Sequence, residues 1–199
     1  MIGNHIILAM LWIAYCTLHS VLASQWVKKK LQRKMKNYKS YRLYYTLFAF
    51  LSLVALIYYQ VRIPTVELFR RTQFILIAGG LLSLSGLGLM MTCIRKYFMS
   101  ISGLRSLLIE TYSNELQITG IHRFVRHPLY LGTFIFIWAL LLLFPYLSLL
   151  IANTIITVYT LIGIELEEQK LVTEFGKDYV NYRRKVPKLI PFFKLRREL

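Results

Sequence analysis

The sequence contains few of the residues from which metal centres and disulfide frameworks are built. Its two cysteines, Cys16 and Cys93, lie in separate apolar segments and form no C-x-x-C spacing. Four scattered histidines give no zinc-binding pattern such as H-E-x-x-H. A G-x-S-x-G element, a P-loop and a G-x-G-x-x-G dinucleotide fingerprint are also absent from the sequence. We therefore expect no metal and no disulfide, and none of the chemistries that these motifs serve.

Acidic residues are also scarce, with nine Asp and Glu against 25 Lys and Arg, which gives a net charge of +16. Yet 56% of the residues are hydrophobic and the mean hydropathy is +0.50. Many cations on an apolar chain are typical of a multi-pass membrane protein with basic loops. A nucleic-acid-binding protein does not need several apolar runs of about 20 residues, so we expect no nucleic-acid partner.

Five apolar segments predict an all-α fold with about five transmembrane helices and a C-terminal amphipathic helix. The segments are Ile2 to Ala23, Leu43 to Val61, Phe74 to Ile94, Leu129 to Phe144 and Tyr146 to Ile164. Phe144-Pro145-Tyr146 divides the last two, which predicts a tight helical hairpin. We interpret 1–199 as one membrane domain, with a three-helix part at 1–94, a cytoplasmic loop at 95–128, the hairpin at 129–165 and a cytoplasmic tail at 166–199.

The distribution of Lys and Arg predicts the orientation. No Lys or Arg precedes Lys28, so the first segment lacks the basic region of a signal peptide. Cations are concentrated in three regions, 28–42, 95–126 and 170–197, whereas the connection at 62–71 carries only three arginines. Five spans place the three basic regions on one side of the membrane. We expect that side to be cytoplasmic and the N-terminus to lie outside.

The tail repeats apolar residues at helical spacing, with charges between them. These residues are Leu171, Val172, Phe175, Tyr179 and Tyr182. The pattern predicts an amphipathic helix at the membrane surface or over a functional site, interrupted at Phe175-Gly176.

Arg126-His127-Pro128 precedes the fourth segment. A residue before proline avoids the α region and proline suits the first turn of a helix, so the helix should begin at Pro128 or Leu129. Its N-terminal amides would favour an anion near Arg126 and His127. The alternative is a basic interfacial anchor that only starts a helix. Gly132, one turn later, has room for another helix or for a ligand.

Three carboxylates, Glu165, Glu167 and Glu168, end the fifth segment. Glu165 and Glu168 share a helix face, and Glu167 points elsewhere. The structural interpretation is a salt bridge to Arg123, Arg126 or Lys170. The functional interpretation is recognition of a cationic ligand, or base catalysis.

Two other segments carry polar or small residues that need an explanation. His19 and Ser20 lie within the first segment, where an ionisable residue marks either a functional site or an interhelical hydrogen bond. Gly79, Ser83 and Gly86 fall on one face of the third segment, which favours close packing against another helix over contact with a cofactor.

Two blocks of this sequence resemble the isoprenylcysteine carboxyl methyltransferase family. The first is Gly120-Ile-His-Arg-Phe-Val-Arg-His-Pro-Leu-Tyr-Leu-Gly132, and the second is a Glu pair, Leu171, Phe175-Gly176 and two tyrosines within 167–182. Phospholipid methyltransferases share these blocks. His19-Ser20 and Tyr41-Arg42-Leu-Tyr44-Tyr45 look like the nurim-like and methanethiol S-methyltransferase branch of this superfamily.

The resemblance implies S-adenosylmethionine as methyl donor, with S-adenosylhomocysteine as product, and a small thiol or a lipophilic acceptor such as an isoprenylcysteine or a membrane lipid. It implies catalytic roles for Arg126, His127 and Glu168. It implies that the cofactor contacts Gly120, His127, Tyr130, Leu131, Gly132, Glu167, Glu168, Tyr179 and Tyr182. The alternatives are a non-catalytic nurim-like protein that binds a lipid or a partner, and an intramembrane reductase that uses a nicotinamide. The sequence does not predict an oligomeric state.

Overall fold

The fold is described from a computed structural model, which covers residues 2–24, 26–27, 30, 41–101 and 116–191. Most of the first basic loop, the connection 102–115 and the end of the tail at 192–199 lie outside the described residues. The principal helices are α1 (Ile2–Ala23), α2 (Tyr41–Arg62), α3 (Gln73–Ile101), α4 (Pro128–Leu143), α5 (Leu147–Phe175) and α6 (Lys177–Lys185). A 3-10 turn, Gly120–Arg123, precedes α4.

Four of the described helices, α1, α2, α3 and α5, are long and apolar enough to cross a membrane. The shorter apolar helix α4 is the fourth predicted span, and it completes an all-α membrane protein. In the described part of the chain, β pairing is limited to one isolated antiparallel bridge between Glu67 and Tyr146.

The helix boundaries agree with the sequence prediction at the start of the chain and extend it towards the end. Helix α1 has the predicted bounds, and α4 begins at Pro128. Helix α5 continues well past Ile164 and includes all three glutamates of the acidic run. Glutamate, glutamine and lysine are good helix formers, and neither proline nor glycine interrupts this stretch before Gly176. Gly176 adopts φ +54°, which separates α5 from α6 as the sequence predicts.

The described residues fall into two compact units. The first contains α1, α2 and residues 144–156. Side-chain hydrogen bonds join α1 to α2 and to the segment after it: His5 to Thr65, Trp12 Nε1 to Gln60 Oε1 at 2.8 Å, and Tyr41 Oη to the Leu22 carbonyl at 2.9 Å. Because no water competes for these groups inside a bilayer, such bonds hold membrane helices together. The pairing makes α1 and α2 antiparallel.

The second unit contains most of α3, together with α4, the part of α5 from Thr157 onward and α6. A Cβ atom on Gly86 would lie 2.7 Å from the backbone nitrogen of Phe136, and one on Gly132 would lie 3.0 Å from the Gly86 carbonyl oxygen. Gly79 similarly faces Leu143. The predicted packing role of the small residues in the third segment is therefore confirmed, and α4 lies against α3 where both backbones are bare.

Candidate active site

The segment before α4 is shaped by a left-handed glycine and by proline. Gly120 has φ +65° and opens the 3-10 turn, and the chain then passes through buried Val125, Arg126 and His127 before Pro128 starts α4. His122 Nδ1 donates a hydrogen bond to the Arg126 carbonyl oxygen at 3.1 Å, in the tautomer that carries its proton on that nitrogen. This local geometry directs the Arg126 and His127 side chains into the second unit.

Arg126 joins α5, α6 and the tail at one point. Its Nε and Nη2 donate to Glu168 Oε1 at 2.8 and 2.7 Å, while Nη1 donates to the carbonyl oxygens of Arg183 and Val186 at 3.0 and 2.5 Å. Arg126 is 8% exposed and Glu168 is 3% exposed. The salt bridge considered from the sequence is thus formed, and it is a buried one. A buried ion pair of this kind holds its position because either charge alone would be costly to bury.

The backbone reinforces this junction. The amides of Arg126 and His127 donate to the carbonyls of Pro187 and Lys188 at 2.9 and 3.2 Å. Tyr182 Oη donates to the His122 carbonyl at 2.6 Å. The residues after α6 therefore lie along the segment that leads into α4, and the two sequence blocks form one structure.

His127 lies between two carboxylates. Its Nε2 is 3.1 Å from Glu168 Oε1, and its Nδ1 is 3.9 Å from Glu167 Oε2. Tyr130 Oη donates to Glu167 Oε2 at 3.0 Å, and the rings of His127 and Tyr130 stack with centroids 5.7 Å apart. We call Arg126, His127, Tyr130, Glu167 and Glu168 the carboxylate cluster. Within it Glu168 is enclosed, whereas the Glu167 side chain is 44% exposed and available to a ligand.

Tyr179 on α6 is the largest fully buried side chain of the described residues, at 1% exposure. Its hydroxyl has no hydrogen-bond partner at acceptable geometry within the described part of the chain. Burial, and next the negative charge of Glu168, raises the pKa of this hydroxyl above its usual range, so it remains a protonated donor. A buried hydroxyl without a well-formed hydrogen bond is uncommon, and among the described residues this one is a donor open to a ligand beside Glu168.

A polar cavity of about 450 Å³ lies beside the Arg126–Glu168 pair. It is lined by Arg126, Glu165, Glu168, Val180, Arg183, Arg184 and Lys188. Glu165 and Glu168 share this face while Glu167 faces Tyr130, as their spacing predicts. Lys188 forms an ion pair with Glu165. The sequence does not mark Lys188 and Arg184 as site residues, because basic residues occur throughout the tail and these two do not differ from the rest.

The remaining predicted site residues lie around the carboxylate cluster in different settings. Gly132 faces Gly86 and Met90 of α3. Leu131 lies one turn into α4, where its amide donates to the His127 carbonyl at 3.0 Å. Gly120 has open space where a side chain would be. Their contact with a cofactor stays a prediction. His19 and Ser20 belong to the first unit, and His19 is within hydrogen-bonding distance of Tyr45.

Comparisons with known proteins agree with the family resemblance. The sequence matches the profile of the family described as NnrU protein over residues 7–191. Methanethiol S-methyltransferase 1 of Bradyrhizobium diazoefficiens is 30% identical over 204 aligned residues, which cover 94% of this chain and 67% of that protein. Methanethiol S-methyltransferase of Crocosphaera subtropica is 40% identical over 80 residues, 39% of this chain and 30% of the relative.

An isoprenylcysteine methyltransferase is also among the similar proteins. Protein-S-isoprenylcysteine O-methyltransferase of Schizosaccharomyces pombe is 42% identical over 82 residues, which cover 39% of this chain and 34% of that enzyme. The match thus spans about a third of the Crocosphaera and Schizosaccharomyces proteins and about two thirds of the Bradyrhizobium protein. No solved structure matches this chain.

Proposed function

We propose that this chain, which belongs to the NnrU protein family, is a membrane-embedded methyltransferase that uses S-adenosylmethionine as its methyl donor. One observation carries the proposal. Residues of both sequence blocks, separated along the chain by a helical hairpin, meet at the buried pair of Arg126 and Glu168. The names of the relatives support the same reaction class.

The residues present fit this donor. When bound, S-adenosylmethionine supplies an electrophilic methyl group on a positively charged sulfur. Carboxylates and aromatic faces attract such a cation, and the carboxylate cluster offers Glu167 with the stacked rings of His127 and Tyr130. The Tyr179 hydroxyl, which has no hydrogen-bond partner of good geometry in the described ranges, offers a buried donor for a polar atom of S-adenosylmethionine. The polar cavity, with Arg183, Arg184 and Lys188, has the charge to hold a carboxylate.

We assign Arg126 a positioning role within this proposal. All of its donors shown here point at Glu168 and at two backbone carbonyls, which fixes α5 and the tail around the site. Glu168 in turn orients the His127 ring by accepting at Nε2 when that nitrogen carries the proton. We assign contact with the reacting molecules to His127, which Glu168 supports.

For the acceptor we propose a small thiol. The relative whose match covers 94% of this chain and 67% of its own length is named a methanethiol S-methyltransferase. A thiol must lose its proton to become a strong nucleophile. His127, hydrogen-bonded to Glu168, is the candidate base. A lipophilic carboxylate is the competing acceptor and would need no base, because it is already ionised.

The test is methyl transfer by the purified full chain in lipid nanodiscs. Radiolabelled S-adenosylmethionine is supplied with methanethiol, with an isoprenylated cysteine or with phosphatidylethanolamine, and the products are separated. We expect a volatile thioether from methanethiol, and loss of turnover in Glu167→Gln. Glu174→Gln, an exposed glutamate two turns along the same helix, should retain it. Failure of a folded protein both to bind the donor and to methylate any acceptor would contradict the proposal.

A further inference from the structure

A second cavity lies in the first unit, between α1 and α2. We call it the apolar groove; it encloses about 360 Å³ and is lined almost entirely by hydrocarbon. The groove exists where small side chains line the helices: Ala14 on α1, and Ala49 and Ala55 on α2. Phe48 and Tyr59 also line it. Specific ligand pockets have volumes of about 300–1,000 Å³, so the groove can hold a small ligand or one hydrocarbon chain.

The groove has one polar end. His19 lies in the penultimate turn of α1 and Tyr45 in the second turn of α2, and both line the groove. Tyr45 Oη is 3.0 Å from His19 Nδ1 and 3.1 Å from Nε2. A neutral imidazole has one donor and one acceptor nitrogen, and a single hydroxyl hydrogen serves only one of them. His19 and Tyr45 thus form a polar pair at the mouth of an otherwise apolar space, and they are the groups placed there to meet a polar head group.

The length of the groove matches one leaflet of a bilayer. On α1 it extends from Leu11 to Leu22, a distance of roughly 16 Å at 1.5 Å per residue. Half of a bilayer's hydrocarbon core is about 15 Å. A chain in the groove would thus run from the middle of the membrane to the end of α1, where the polar pair lies.

Charge identifies the head group. The connection from α1 to α2 carries eight Lys and Arg between Lys28 and Arg42 and no Asp or Glu. Both ends of this connection, the end of α1 and the start of α2, lie on the membrane face at which the groove has its polar end, so the positive charge of the sequence favours an anionic head group on that face. A cationic head group would be repelled.

We propose that the apolar groove binds an amphiphile with one alkyl chain and an anionic head, a carboxylate or a phosphate. The chain occupies the space beside Ala14 and Ala49, and the head lies at His19 and Tyr45. The proposal concerns the first unit alone and does not depend on methyl transfer.

The test is binding of radiolabelled palmitate to the full, delipidated chain in detergent. We expect saturable binding that falls about tenfold or more in Ala14→Trp and Ala49→Trp, because an indole in the groove excludes several methylenes of the ligand. Ile13→Trp is the matched control: Ile13 is adjacent in sequence, 55% exposed and does not line the groove, so its variant should bind as the wild type does.

The head group is tested separately with dodecyl phosphate and hexadecanol as competitors. We expect dodecyl phosphate to displace palmitate from the wild type far better than hexadecanol does, and His19→Leu to lose this preference while retaining binding of the alcohol. Equal palmitate binding in wild type and in both groove-filled variants would overturn the proposal. So would equal competition by the neutral and anionic amphiphiles. Unchanged S-adenosylhomocysteine binding in the groove variants would show that the donor site stayed intact.

Discussion

Glu168 is the residue on which the candidate site depends. A carboxylate 3% exposed is unfavourable unless cations and hydrogen-bond donors surround it, and here Arg126 and His127 do so through a single oxygen. The same contacts make the residue both a structural support and the group that orients the candidate base. The contributions of Glu168 to stability and to activity should therefore be separable only by double-mutant cycles with its partners.

Removing Arg126 alone should destabilise the protein more than removing the pair. Arg126→Ala leaves Glu168 buried without its counter-ion, which costs about 3–5 kcal/mol. In Arg126→Ala/Glu168→Ala that charge is also removed, so we expect the double variant to unfold at a higher temperature than the sum of the single changes predicts. Thermal unfolding of the four proteins in one detergent measures the coupling. Strict additivity would show that the contact contributes no stability.

Replacing Tyr179 should have the opposite effect on stability from replacing Arg126. The buried Tyr179 hydroxyl has no hydrogen-bond partner of good geometry among the described residues, so Tyr179→Phe should raise the stability of the ligand-free protein by about 1 kcal/mol, the cost of an unsatisfied polar group. If the hydroxyl bonds the methyl donor, the same change should weaken S-adenosylhomocysteine binding about tenfold.

Thermal unfolding without ligand and a binding titration measure the two effects on one preparation. Tyr44→Phe, which changes a tyrosine 62% exposed on α2, should alter neither. A Tyr179→Phe variant that binds the donor as tightly as wild type would exclude the hydroxyl from the donor site.

At the scale of elements, α3 and α4 approach most closely where two glycines meet. Gly86→Ala should lower the unfolding temperature, because the new methyl group would lie 2.7 Å from the Phe136 backbone and the helices would have to separate, at about 1–3 kcal/mol. Gly88→Ala lies two residues along the same helix in open space and should be neutral or slightly stabilising. Unfolding temperatures measured by tryptophan fluorescence would decide; equal values for the two variants would exclude the close approach.

Much of this architecture could be predicted, because the length of an apolar segment and the positions of proline and glycine determine helix bounds locally. The bounds of α1, the start of α4 at Pro128 and the break at Gly176 all follow from the sequence. The grouping of Glu165 with Glu168 and the separate direction of Glu167 also follow, from helical spacing alone.

The bonds that close the site could not be predicted in this way. Arg126 bonds to the carbonyls of Arg183 and Val186, and every residue carries a carbonyl, so no sequence pattern marks these two. The sequence also does not mark the Tyr179 hydroxyl as lacking a hydrogen-bond partner among the described residues, because this depends on the positions of all the neighbouring elements. The apolar groove likewise arises from alanines that a sequence pattern does not distinguish from ordinary packing positions.

At the scale of the whole molecule, the orientation remains a prediction from charge, and chemical labelling can test it. Cys16 and Cys93 are the two cysteines of the sequence, and serine is close to cysteine in size, so Cys16→Ser/Cys93→Ser should fold and give a background without thiols. In that background, Thr119→Cys should react with an impermeant maleimide only after the cell is opened, and Val66→Cys should react in intact cells. The reverse pattern would place the N-terminus and the basic loops on the opposite sides.

The central claim is that the two sequence blocks form one binding site for the methyl donor. Calorimetric titration of the detergent-purified chain with S-adenosylhomocysteine tests it most directly, with Glu167→Gln and its control Glu174→Gln measured alongside. We expect saturable binding at one site in wild type and Glu174→Gln, and binding weakened at least about tenfold in Glu167→Gln, which loses an exposed carboxylate of the carboxylate cluster. Absence of binding to folded wild-type protein, or equal affinity in all three proteins, would contradict it.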